Sequence, residues 1–201
     1  PTDVSSTIFE SLNGEWNFHR ILDSKLAHTP SGVVTGTATY TARPPTDSKA
    51  IAEYMYAEEG SMTMENGLTF TTRRRYIWRL SPSLAPPSTT TSAHLTTSPP
   101  TSNISVFFVA QDNETSDGLF HSMDMNDAEI GTSSSSSAAT SKNQISACGN
   151  HFCAPDQYET DYKFNFGDTG ESGTKALTQF RIVYNVKGPN KDYVSHTIFT
   201  R

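Results

Sequence analysis

The chain has 201 residues and a formal net charge of −6, from 15 Lys+Arg against 21 Asp+Glu. That length suits one domain, and that charge argues against a protein that works by neutralising nucleic-acid phosphates. No run approaches the ~20 apolar residues of a membrane-spanning helix, and two cysteines, Cys148 and Cys153, are too few for a disulfide scaffold.

The opening residues, PTDVSSTIFESLNG, lack the charged-then-apolar order of a signal peptide. With the cysteines read as free thiols, this predicts a cytoplasmic protein; one small-loop disulfide is the alternative. Residues 4–13 predict a short helix, with Ser5 or Ser6 as N-cap and Ile8, Phe9 and Leu12 at helical spacing. Period-2 runs rich in Thr, Val, Tyr, Phe and Trp follow. EWNFHRIL places Trp16, Phe18 and Arg20 on one face. VVTGTATYT places Val34, Gly36, Ala38 and Tyr40 on one face and threonines on the other. IAEYMYAEEG sets Ala52, Tyr54, Tyr56 and Glu58 against Ile51, Glu53, Met55 and Ala57. Asn66-Gly67, between SMTM and LTFTTRRRYIWRL, is a strong hairpin signal. ISVFFVA, YETDYKFNF, LTQFRIVYNVKG and DYVSHTIFTR complete the set, with Gly188-Pro189-Asn190-Lys191-Asp192 as the last turn and Lys191–Asp192 as a surface pair.

Two segments interrupt this series. Residues 81–103 are 17 of 23 Ser, Thr or Pro, and residues 126–144 hold the run GTSSSSSAATS. Such composition does not bury enough apolar surface to offset the entropy of ordering, so both read as insertions in one domain spanning 1–201. Asn103-Ile-Ser105 and Asn113-Glu-Thr115 match a glycosylation pattern that matters only in a secreted chain. The expected fold is all-β: a single antiparallel up-and-down β-barrel of about ten strands with a short N-terminal helix. Closure removes the sticky sheet edges.

The stretch RRRYIWR puts four arginines in seven residues. On a strand they divide: Arg74, Tyr76 and Trp78 share one face, and Arg73, Arg75, Ile77 and Arg79 the other. The aromatic set is expected inside the barrel, the remaining arginines in a solvated outer stripe. Arg20 shares its face with Trp16 and Phe18 in the same way. A guanidinium keeps its charge, so burying it requires a carboxylate or an anionic ligand. Glu58 is the best internal partner. A structural Arg20–Glu58 pair and a cationic clamp for a bound anion both fit.

The segments GEWNFHRILD, SGVVTGTATY, YAEEGSM, RRYIWR, GLFHSMD, HFCAPDQYETDY and VKGPNKDYVSHTIFTR together resemble a small calycin-like family of microbial proteins of unknown function. The resemblance covers residues 14–201 apart from the insertions. It implies a barrel of the lipocalin or fatty-acid-binding type and no particular activity. The chain departs from the family pattern at Phe180, where Trp is usual, which the resemblance implies alters cavity shape.

Several residues carry chemistry. His151, Cys153 and Asp156 fall within HFCAPDQY, but without paired zinc-ligand spacing, so no metal is expected. His121 is a candidate general base at the barrel mouth, with His151 and Glu58 as further catalytic candidates. Trp16, Phe18, Arg20, Tyr56, Arg74, Tyr76, Trp78, Phe108, Tyr158 and Tyr193 are the expected ligand-binding set. No phosphate loop or dinucleotide fingerprint is present, so no cofactor is expected. The expected role is binding of a small hydrophobic or aromatic metabolite with a polar or anionic end, by a monomer or homodimer, with no nucleic-acid partner and no membrane span. The alternative is a cofactor-independent cyclase or isomerase using the same interior, with Arg20, Glu58 and Tyr76 polarising a carbonyl.

Overall fold

A computed structural model describes residues 3–26, 28–83, 102–125, 143–168 and 175–201. Most of the two Ser/Thr/Pro-rich segments, 84–101 and 126–142, lies outside the described residues. Helix α1 spans Val4–Leu12. Its N-cap is Asp3, not Ser5 or Ser6: the Asp3 carboxylate accepts the Ser6 N–H at 3.3 Å. Ser5 faces the core instead, beside the fully buried Ile8, Phe9 and Leu12.

Eleven strands follow: β1 Gly14–Ser24, β2 Gly32–Arg43, β3 Ala52–Met64, β4 Thr69–Pro82, β5 Ser102–Val109, β6 Ser116–Ser122, β7 Asp124–Met125, β8 Gln144–Cys153, β9 Asp156–Asp168, β10 Lys175–Lys187 and β11 Asp192–Thr200. The sequence indicated about ten; β8 and the short β6 and β7 are the additions. The two runs before Asn66-Gly67 are one strand, β3, and Gly67 turns the hairpin with φ of +82°.

All pairs are antiparallel neighbours in the order β6-β5-β4-β3-β2-β1-β11-β10-β9-β8-β7. First and last strands pair along their length, from Asn17↔Thr200 to Ser24↔Tyr193. The two sheet edges, β6 and β7, are consecutive in sequence with only Met123 between them. One stretch, 116–125, therefore pairs first with β5 and then with β8. Met123 donates its N–H to Ile104 O at 2.8 Å, holding β5 at the point of transfer. The result is a nearly closed up-and-down barrel.

Alternation sorts the side chains as expected on β1 to β3: Trp16, Phe18, Arg20, Val34, Ala38, Tyr40, Tyr54, Tyr56 and Glu58 are all buried. At the helix end the interior is filled. Phe9 stacks on Tyr54 at 4.4 Å, and Trp16 Nε1 donates to Leu12 O at 2.8 Å. Phe180 stacks on Phe199 at 4.3 Å and meets Trp16 edge-on at 4.8 Å. Phe180 therefore shapes this aromatic plug.

The outer arginine stripe is not all solvated. Arg73 and Arg75 are exposed, but Arg79 is 5% exposed and Ile77 fully buried. Arg79 donates Nε to Glu53 at 2.9 Å and Nη2 to Thr46 Oγ1 at 2.8 Å, and its guanidinium lies 4.3 Å from the Phe107 ring centre. The loop 44–51 and the start of β6, through Ser116, cover this part of the outer wall. Alternation gave the facing correctly; the cover over that face was not visible in the sequence.

Candidate functional site

The end of the barrel opposite α1 differs from the plugged end. An inward side chain keeps solvent contact only where the interior is open. Tyr76, Phe108, His151, Tyr184 and Tyr193 face inward by register yet are only half-buried. The inward Arg74 side chain is 41% exposed. Around this opening the rings lie in layers. Phe120 is near-parallel to Tyr76 (5.6 Å, 13°) and to Tyr184 (5.8 Å, 18°). Phe108 tilts against Phe120 at 4.8 Å, and His151 and Tyr158 meet it edge-on at 5.6 and 5.7 Å. Such arrangements follow the ring quadrupoles.

Below this lies a closed ionic pair. Arg20 donates Nη1 and Nη2 to the two Glu58 oxygens at 2.6 and 2.7 Å, and Nε to Thr197 Oγ1 at 2.8 Å. Arg20 and Glu58 are 5% and 4% exposed. The Tyr56 hydroxyl also donates to Glu58, and Arg74 Nε stands 3.7 Å from Glu58 Oε1. Burial pushes the Glu58 carboxyl up, but the Arg20 bonds and charge, then Arg74 and the Tyr56 hydroxyl, hold it below its ordinary value. Burial opposes the Arg20 charge, and Glu58 more than restores it, so Arg20 ionises above its usual range. Glu58 is thus a fixed anion, not a group poised to exchange a proton.

His121 is not at the mouth. It is 2% exposed and hydrogen-bonded through Nε2 to the Tyr162 hydroxyl. Burial pushes its pKa down to about 3, with His151 adding to the effect, so the ring is neutral at neutral pH. Irregular register between Val106 and Val109, and a φ of +82° at Gly118, place consecutive Phe120 and His121 both inside. Beside the His121–Tyr162 pair the Tyr184 ring, which reaches the opening, meets the His121 ring edge-on at 6.1 Å. Burial raises the Tyr162 and Tyr184 phenols well above their ordinary value.

The remaining candidates separate. Trp16 belongs to the plug, and Phe18 lies under Arg20, whose guanidinium is 5.0 Å from its ring centre. Trp78 is buried among Tyr40, Tyr56 and Tyr162. Tyr158 accepts a bond from Lys191 Nζ at 2.6 Å. Lys191 is therefore not paired with Asp192, which sits 3.9 Å from Lys25 instead. The HFCAPDQY residues do not converge: Asp156 accepts the N–H groups of Asn190 and Lys191, His151 lies among aromatic rings, and Cys153 is exposed. Among the described residues no three His, Cys, Asp or Glu side chains come together as metal ligands would. Cys148 and Cys153 lie on opposite faces of β8, where no bridge joins them.

Sequence reading missed Phe120, Tyr184, Tyr162 and Thr197. Tyr184 was within reach, because it shares a face with Phe180 and Ile182 in LTQFRIVYNV. Four inner-face atoms among the described residues, Tyr40 Oη, Trp78 Nε1, His121 Nδ1 and Ser195 Oγ, are buried without a partner. A groove of about 580 Å3 runs over β2–β4, bordered by Thr37, Thr39, Ala57, Glu59, Arg73 and Arg75, with Glu58, Arg74 and Asn113 also contributing to its lining.

Fold and open end together define a nearly closed up-and-down β-barrel with an aromatic-lined mouth. Residues 12–201 match the profile of a family of unknown function (DUF6314), and the chain belongs to that family. Among solved structures, the S-type phycobiliprotein lyase CPES from Guillardia theta aligns over 100% of this chain and 93% of its own, at 10% identity and a TM-score of 0.37. No curated protein matches the chain. No helix among the described residues is long and apolar enough to cross a membrane.

Proposed function

We propose that the open end of the barrel binds one small hydrophobic or aromatic metabolite with a polar or anionic end, and holds it without transforming it. The observation that carries this reading is the set of inward aromatic side chains, Tyr76, Phe108, Tyr184 and Tyr193, that remain in contact with solvent. Apolar concave sites with a few placed polar groups are where small molecules bind. Holding is favoured over chemistry because the ionisable candidates are parked: Glu58 is consumed by Arg20, and His121 is neutral under burial. We read the chain as one barrel domain with two insertions, acting in the cytoplasm.

The reading is tested with N-phenylnaphthylamine, an apolar dye whose emission rises on burial. Saturable binding at one site is expected, weakened about tenfold or more by Tyr76→Ala. Native mass spectrometry of the purified protein should also find a co-purifying small molecule. Absence of saturable binding both of this dye and of its anionic sulfonate analogue would sink the proposal. A second reading, a cyclase or isomerase, is favoured by the buried His121–Tyr162 hydrogen bond lying beside Tyr184, which reaches the opening. It predicts that a co-purified molecule is recovered chemically changed from wild type but unchanged from Tyr184→Phe.

A further inference from the structure

We propose that the guest is a planar aromatic monoanion and that Arg74, not Arg20, reads its charge. This rests on the binding role proposed for the open end. Arg20 has little left to offer a ligand. Both its Nη atoms are on Glu58, its Nε is on Thr197, and it is 5% exposed. Its two remaining N–H groups belong to a buried side chain whose charge Glu58 already neutralises.

Arg74 is placed differently. It stands opposite Glu58 in the β3–β4 register, on the inward face. Its one ion-pair contact, Nε to Glu58 Oε1 at 3.7 Å, is too long for a hydrogen bond. Its side chain is 41% exposed although it points into the barrel. One carboxylate thus serves two guanidiniums, and this wall keeps a surplus of one positive charge. The other inward carboxylate among the described residues, Asp156, holds the N–H groups of Asn190 and Lys191 and offsets the Lys191 charge. The surplus at Arg74 therefore has no protein counter-charge among the described residues.

A guest that fills the opening strips water from Arg74, and an uncompensated buried cation is costly. One negative charge on the guest removes that cost. A neutral guest leaves it, and a dianion overshoots it. The Arg74 charge is felt by Tyr76, Tyr184 and Tyr193. Their protonated hydroxyls are donors to the same anion. The near-parallel Tyr76, Phe120 and Tyr184 rings favour a flat body attached to that anion.

Two dyes that differ only by one charged group test this: N-phenylnaphthylamine, neutral, and anilinonaphthalene sulfonate, a monoanion. The wild type should bind the sulfonate about tenfold or more tightly than the amine. Arg74→Met should erase that margin and leave amine affinity in place. Arg75→Met, one residue on and on the outer face of β4, should preserve the margin. Equal affinities in the wild type, or a margin that survives Arg74→Met, would overturn the assignment. So would a margin lost in Arg75→Met. If the amine binds and no margin exists, the charge assignment alone fails; if neither dye binds, the binding role fails with it.

Discussion

Arg20 and Glu58 meet diagonally across β2. Arg20 stands opposite Val34 on β2, and Ala38 on β2 stands opposite Glu58. Gly36, between Val34 and Ala38 on the same face, puts no side chain in their way, and a Cβ there would lie 2.1 Å from Glu59 O. Breaking such a pair leaves a buried charge alone. Glu58→Gln should lower unfolding free energy by about 3–5 kcal/mol in urea, and the double variant Arg20→Met/Glu58→Met by clearly less. His121 sets a pH dependence of its own. It ionises near 3 in the folded chain and near its ordinary value of 6.5 when unfolded. Below that value the unfolded chain takes up a proton that the folded chain does not. Its contribution is intact above the unfolded value and declines as pH falls toward the folded one. The loss between pH 7 and 5 should be about 2 kcal/mol. His121→Gln should flatten that part of the stability–pH curve; an unchanged slope would refute the assignment.

At the scale of elements, β3 and β4 carry charge pairs on both faces, and their environments differ. Arg73–Glu59 is exposed, with side chains 71% and 60% accessible, whereas Glu53 is fully buried against Arg79 and also lies 3.5 Å from Arg43. Glu53→Gln should cost about 3 kcal/mol or more, read as a lowered urea midpoint, while Glu59→Gln should leave the midpoint where it is. RRRYIWR made the facing of these residues legible, because strand geometry alternates whatever covers it. It could not show that Thr46, Asp47 and Ser116 fold over Arg79, since those contacts come from loop paths with no periodic signal. His121 escaped for a related reason: irregular register beside β6 breaks the alternation from which its position was read. Arg20–Glu58 was legible because a guanidinium on an aromatic face demands a counter-charge.

At the scale of the whole molecule, the order of strands and the barrel were legible from turns and alternation, but the way the barrel closes was not. It depends on the stretch 116–125 changing partner at Met123, and on Gly149 letting β8 approach. A Cβ on Gly149 would lie 2.7 Å from Ser122 O and 3.0 Å from His121 Cδ2. Gly149→Ala should therefore force β6 from β8 and destabilise the fold by about 1–3 kcal/mol. Amide exchange should report it as faster opening in β6 than in β1–β3. Every other junction of the cylinder is a ladder of paired backbone, and this seam is fastened by ten residues that belong to both sides. The barrel is thus a rolled mat with a clasp. Opening at this clasp is therefore expected to free one edge of the barrel before the plug beneath α1 is disturbed.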